Sequence, residues 1–185
     1  MIKDPVKKYP SEDECHRLIE KYKMFPNIIQ HSIQVKNVSE AIYHHLTDKQ
    51  PISLELLIAS ALLHDIAKTK SIQTNDMRHD LTGGIMLREL GYDEIADIVE
   101  NHVIFTGFEP DGPLLEKEII YYADKRVMHD KIVNIDTRVD DLVERYGTTG
   151  YIKEMIQKNK IFVLKLEFKI QQHMAVPIED ALKEL

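Results

Sequence analysis

The sequence predicts an all-α protein, and three observations carry that expectation. Apolar residues recur at spacings of three and four through nearly every segment, whereas alternation at two is hard to find. One stretch, LELLIASALLHDIAK from Leu54 to Lys68, is apolar almost all round, as a central helix surrounded by others must be.

The first helix opens at Ser11, where S-E-D-E has the form of a capping box, and ends before Pro26, since proline disfavours helix in the residue preceding it. A second runs from about Asn27 to Leu46 with Ile28, Ile29, Ile33, Val35, Val38 and Ile42 on its buried side. The third starts at Ser53 after Pro51 and carries the apolar run that anchors the core. The polar stretch KSIQTNDMRH is expected to be loop. The short helix LTGGIMLREL follows, closed by Gly91 as a left-handed residue, with Gly83 and Gly84 allowing a close helix approach. Asp93 caps the next, EIADIVENHV, which stops at the loop TGFEPDGP. Pro113 leads into LLEKEIIYYADKRVMHD; helices from about Thr137 to Tyr146 and Tyr151 to Met174, and a short piece after Pro177, complete the chain.

At 185 residues and 43% hydrophobic, the chain can bury one sizeable core, so one domain is expected over residues 1–185, with a motif-bearing core at about 28–130 and a helical extension at about 135–185. Charged residues are mixed along the sequence and no apolar run approaches about eighteen residues, which excludes a membrane-spanning helix. The N-terminal MIKDPVKKYPSEDE has lysines but no apolar stretch behind them, so a secretory signal is not expected. Cys15 is alone and can form neither an internal disulfide nor a zinc knuckle, and the cytoplasm is the expected compartment. A net charge of -7 argues against broad nucleic-acid binding. An anionic substrate must therefore be held by local positive charge.

Nine histidines are present, three of them before an aspartate: His64-Asp65, His79-Asp80 and His129-Asp130. The dipeptide alone is a weak signal. His64 and Asp65, however, end the most apolar helix in the chain, where both side chains would be desolvated unless paired or bound to a metal. A core histidine hydrogen-bonded to its neighbours is the plain alternative. His31 sits among apolar residues on the preceding helix, and Asp124 lies inside the apolar IIYYAD. Taken singly, each of these two is an ordinary structural residue.

Taken in order, QHSIQV at His31, ALLHDIAK from Ala61 to Lys68 and IIYYADK at Asp124 resemble the motifs of the HD superfamily of metal-dependent phosphohydrolases, over roughly residues 28–130. The resemblance implies an HD-type helical bundle in which facing helices carry His31, His64, Asp65 and Asp124 to a divalent metal. In the binuclear branch, histidines placed like His79 and His102 hold a second metal, so that Asp65 would bridge the two. Nitrogen-rich sites with a bridging carboxylate suit iron, manganese, cobalt, nickel or zinc better than calcium. Asp65 and Lys68 are the catalytic candidates, with Lys68 one helical turn past His64 and able to grip a substrate phosphate. Arg78, Lys125 and Arg126 flank ligand positions and are further phosphate candidates. The other histidines, and Tyr121 and Tyr122, are assigned to surface and core.

The motifs are most similar to those of small bacterial HD proteins that include symmetrical diadenosine tetraphosphate hydrolases. Those enzymes follow the later histidine with a short Thr-Gly turn, whereas VIFTGFEPDGP after His102 is longer and should reshape the pocket mouth. The Gly-Tyr-Pro signature of cyclic-dinucleotide phosphodiesterases is not matched by Gly107-Phe108-Glu109-Pro110. What the resemblance implies is hydrolysis of a phosphate ester or anhydride, with a small phosphorylated substrate such as a nucleotide and no membrane partner. A module that keeps the bundle and binds nucleotide or metal without catalysis is the alternative.

Overall fold

The computed structural model describes residues 9–49, 51–183 and 185; residues 1–8, which hold most of the lysine-bearing N-terminal segment, lie outside them. The described chain is helical almost throughout: α1 (Glu12–Lys21), α2 (Pro26–His44), α3 (Leu54–Leu63), α4 (Lys68–Thr74), α5 (His79–Glu89), α6 (Asp93–Glu100), α7 (Glu116–Arg126), a hairpin of β1 (Val127–Met128) and β2 (Lys131–Ile132), then α8 (Ile135–Tyr146), α9 (Gly150–Gln172) and α10 (Ile178–Leu182). Helix α3 is the hub, packed against α1, α2, α6 and α7. Its Leu57, Ala61 and Leu63 have no exposed surface. Each such leucine contributes about 1.5–3 kcal/mol relative to an exposed one.

Local signals explain where the helices begin and end. Ser11 accepts a hydrogen bond from the Glu14 amide at 3.3 Å, but the Glu14 carboxylate turns to Arg17, so only half of the capping box forms. Pro26 occupies the first turn of α2, where its missing N–H is harmless. Ser53 caps α3 through the Leu56 amide. Gly91 takes φ +85° and ends α5 in a Schellman arrangement, with the Gly91 amide on Arg88 O and the Tyr92 amide on Leu87 O. At Gly83 a Cβ would lie 3.1 Å from Val99, which is why α5 and α6 can pack so closely.

The structure differs from expectation in four places. Helix α3 stops at Leu63, and residues 64–67 form a tight turn whose amides bond three residues back, Ile66 to Leu63 and Lys68 to Asp65. Much of the polar stretch expected as loop is helix α4. It shows no apolar pattern because it buries hydroxyls, and Thr69 Oγ1 accepts the Phe25 amide at 2.9 Å. Residues 127–132 form a hairpin; strands of two residues are too short to show alternation, so they pass for the end of a helix. Asp93 is the first residue of α6, not its cap, and makes no capping bond there.

The lone Cys15 is fully buried, and burial pushes its thiol up to about 12, which keeps it neutral and inert. No helix among the described residues is long and apolar enough to cross a membrane.

Candidate metal centre

Six side chains predicted as ligands converge between α2, the turn after α3, the start of α5, the turn after α6 and the end of α7. His31 Nε2 lies 2.9 Å from Asp124 Oδ1, and His64 Nε2 lies 3.9 Å from the same oxygen and 3.5 Å from Asp65 Oδ2. On the other side of Asp65, His79 Nε2 is 3.2 Å and His102 Nε2 3.4 Å from Oδ1, and the two imidazole nitrogens are 3.2 Å apart. Two groups of donor atoms result: His31, His64 and Asp65 in one, and Asp65, His79 and His102 in the other, each within 4.8 Å. Asp124 joins the first through its contacts with His31 and His64. Asp65 belongs to both.

The way the histidines are held sets which nitrogen faces inward. His64 and His102 each follow the end of a helix and direct Nδ1 at the carbonyl three residues back, Ala61 at 2.7 Å and Val99 at 2.6 Å. His31 Nδ1 meets the carbonyl of His129 at 3.0 Å. A carbonyl can only accept, so Nδ1 carries a proton in all three, and in the neutral ring Nε2 presents its lone pair to the centre. Such outer hydrogen bonds orient imidazole ligands and raise their basicity. The carboxyl-terminal ends of α3 and α6 also point here, and their partial negative charge favours a cation.

The donor set fits a divalent metal. His64 Nε2 and Asp65 Oδ1 are buried without any hydrogen-bond partner, although leaving such groups unpaired costs about 1–3 kcal/mol each. Ligands about 2.0–2.2 Å from a common ion stand roughly 3–3.5 Å apart, as most of these donors do. Electrostatics keep both aspartates ionised. Burial pushes Asp65 up, but the Lys68 ammonium and the neighbouring imidazoles, His64 first, outweigh it and hold its carboxyl well below the usual range. Asp124 behaves alike, with burial opposed by Lys125, His31 and His64. Burial lowers the His102 pKa; at His64 it is outweighed by Asp65 and Asp124, and the pKa is raised.

The cationic candidates separate. Lys68 Nζ stands 2.7 Å from Asp65 Oδ2 with 32% of its side chain exposed, so it reaches the centre from its open edge, although it starts α4 and does not share a helix with His64. Arg78 is turned away onto Asp80, at 2.9 Å and 2.8 Å, and fixes the start of α5 beside His79. Arg126 is not at the centre. Its guanidinium is 2% exposed and is consumed by Val133 O, Tyr122 Oη and Glu179, because it projects from the opposite face of α7. Lys125 is tied to Asp124 and to the His102 carbonyl at 3.2 Å. The carbonyls of Ala61, Val99 and His129 escaped the sequence reading. The recurrence of a histidine just past a helix end was a legible signal for two of them; the third depends on a hairpin with no sequence signature.

A family model described as HD domain matches residues 28–128, more than half of the chain. The chain belongs to the HD domain family. All six converging side chains lie within residues 28–128. The chain is similar to a tRNA (cytidine(56)-2'-O)-methyltransferase of Thermoplasma volcanium, 31% identical over 149 residues that cover 74% of this chain and 42% of the relative. An uncharacterized protein of Methanocaldococcus jannaschii is 30% identical over 135 residues, covering 65% of this chain and 78% of that one. A cyanamide hydratase of Saccharomyces cerevisiae is 31% identical over 105 residues, 51% of this chain and 47% of the hydratase. The chain thus spans less than half the length of the methyltransferase and hydratase relatives. No solved structure matches it significantly.

Proposed function

We propose that this HD domain is a metal-dependent phosphohydrolase acting on a phosphate ester or anhydride of a small molecule, with nucleotides the first class to test. One observation carries the reading: two donor groups share Asp65, with imidazole lone pairs turned inward and two buried donor atoms left without partners. His31, His64, Asp65 and Asp124 would hold one divalent ion, and Asp65, His79 and His102 a second. When bound, such ions supply Lewis acidity toward phosphoryl oxygens and a positive charge that this acidic chain otherwise lacks.

The chain's own residues supply the rest. Asp65 stays a carboxylate. Lys68, at the open edge and only 2.7 Å from Asp65, can move its ammonium onto a phosphate oxygen as a charge-assisted donor. The backbone carbonyls behind His31, His64 and His102 fix the rings, so ligand geometry is set before substrate arrives. Motif likeness to symmetrical diadenosine tetraphosphate hydrolases places dinucleoside polyphosphates first in a screen.

Metal analysis of protein purified without chelator, followed by assay of nucleotides and phosphate esters, tests the proposal. We expect up to two equivalents of transition metal and release of phosphate or a nucleotide. Replacing His79 or His102 with alanine should lower metal content toward one equivalent; unchanged content in both would leave a mononuclear centre. A second reading is favoured by the yeast relatives named cyanamide hydratase: addition of water to a small unsaturated substrate at the same centre. Turnover of cyanamide with no phosphate ester cleaved would select it. Metal bound with neither activity would select the non-catalytic module.

A further inference from the structure

Lys125 touches a ligand of each metal half-site without being a ligand itself. Its Nζ donates to the Asp124 carboxylate, which belongs with His31 and His64, and to the backbone carbonyl of His102, which belongs with His79. The ammonium also lies 4.5 Å from the centroid of the Tyr121 ring, and the side chain is 12% exposed. A lysine so engaged has little freedom to leave for a ligand. Holding Asp124 through Oδ2 leaves Oδ1 directed at His31 Nε2 and His64 Nε2. Holding the His102 carbonyl adds a tie to the turn after α6, in which the Asn101 amide meets Ile98 O at 3.0 Å, the His102 amide meets Val99 O at 3.3 Å and His102 Nδ1 meets the same oxygen.

We propose that Lys125 is a positioning residue, a strut that sets Asp124 and the His102 turn for metal binding, and not a substrate contact; this rests on the metal-centre reading above. The alternatives differ in sign. A cation beside a metal site repels the incoming ion, so if charge alone mattered, removing Lys125 would tighten metal binding. If its two hydrogen bonds orient the ligands, removing it weakens binding, and loss of outer-sphere partners of this kind costs about 10–100-fold in metal affinity. If Lys125 gripped phosphate, metal affinity would hold and anion affinity would fall.

The test is calorimetric titration of Mn²⁺ and Zn²⁺ into the metal-free full chain, for the parent, K125M and K125Q. Methionine keeps the length and loses donors and charge. Glutamine keeps an N–H fork without the charge. We expect K125M to bind both ions roughly 10–100-fold more weakly and K125Q to lose less than K125M, because it retains donors. Inorganic phosphate, titrated into each protein at saturating Mn²⁺, should bind K125M within about threefold of the parent, since Lys125 touches no substrate in this reading. Metal affinity equal to or tighter than the parent's, in K125M or, should K125M not fold, in K125Q, overturns the proposal. So does a fall of about tenfold or more in phosphate affinity at saturating metal, as a lost charge-assisted contact would give. A parent that binds no metal would refute the metal-centre reading on which the proposal stands, which separates the two failures.

Discussion

Helix α7 presents buried polar groups on two faces, and the two are finished differently. Toward α9 and α10, Glu118, Tyr122 and Arg126 stand at successive turns of one face. Lys169, 3% exposed, gives its ammonium to Glu118 Oε1, Glu109 O and Pro113 O at 2.8–3.0 Å. Tyr122 donates to Glu167 and accepts from Arg126, which also meets Glu179 and Val133 O. These groups all have partners. Toward α2 and α3, Asp124 faces a cluster in which His64 Nε2 and Asp65 Oδ1 have none. Among the described residues, the other partnerless buried atoms, on Ser32, Ser60 and Arg138, are hydroxyl or guanidinium atoms, not a lone-pair nitrogen or a carboxylate oxygen. A fold closes its structural networks; unclosed lone pairs of metal-ligating type mark a place for something else.

The largest effect should come from Asp65, the residue shared by both donor groups. Asp65→Ala should lose both metal equivalents and all measurable hydrolysis, while the helical circular dichroism spectrum persists because apolar packing is untouched. Elemental analysis of the purified variant checks it. Metal retained at the parent's level would remove the distinction between the two faces of α7.

The converse change lies on the closed face. Lys169→Met leaves Glu118, 1% exposed, as an uncompensated buried charge, and should cost about 3–5 kcal/mol in urea denaturation. It should also loosen the loop at Glu109 and Pro113. Folded K169M should still bind metal with the parent's stoichiometry. Loss of metal at temperatures where the variant remains folded would show that the two networks are one.

Much of this was legible in the sequence, for identifiable reasons. The all-α class followed from periodicity, and the starts of α1 and α2 from Ser11 and Pro26, whereas α1 ends at Lys21, several residues before the proline that was expected to stop it. His64 and Asp65 stood out because a polar pair ends an otherwise apolar helix. His79 and His102 drew attention only through the motif order, since neither sits on an apolar run that would make it costly. Helix α4 was hidden because Thr69 and Ser71 are buried through hydrogen bonds, and the hairpin because its strands are two residues long. Arg126 was misplaced for a geometric reason: adjacency to Asp124 and Lys125 in sequence put it beside the ligands, whereas a helix turns about 100° per residue and carries it to the far face. Nothing in the sequence says that Asp80 takes the guanidinium of Arg78.

A smaller effect is expected at Lys68, where the open edge of the centre meets solvent. Its ammonium is too weak a ligand to hold the metals, so Lys68→Ala should keep metal content. It should lose on the order of 1.5–3 kcal/mol of transition-state stabilisation, roughly ten-fold to a hundred-fold in kcat/KM. Arginine should restore this only in part, because a planar fork does not place its donors where a compact ammonium does. Steady-state kinetics on the best substrate, with metal analysis of the same preparation, decides. Activity within about twofold of the parent would reduce Lys68 to a partner of Asp65.

The smallest effect should come from Tyr122→Phe, and it tests the comparison most finely because Tyr122 lies only two residues from Asp124. Burial, with Glu167 alongside, pushes its phenol pKa up despite Arg126, so the hydroxyl stays protonated and remains a donor to Glu167. Removing it takes one acceptor from Arg126 and one donor from Glu167. Arg126 Nη1 already stands 2.9 Å from Glu179 and 3.8 Å from Glu167, so both charged groups keep a partner and can close on each other. The cost should therefore be that of an exchangeable hydrogen bond, about 1–2 kcal/mol, and well short of the penalty for an orphaned charge. Denaturant unfolding measures it, and metal titration should give the parent's stoichiometry and affinity. A shift in metal affinity with so mild a loss of stability would mean that α7 transmits strain from its closed face to Asp124, and the two faces would have to be treated as a single coupled element.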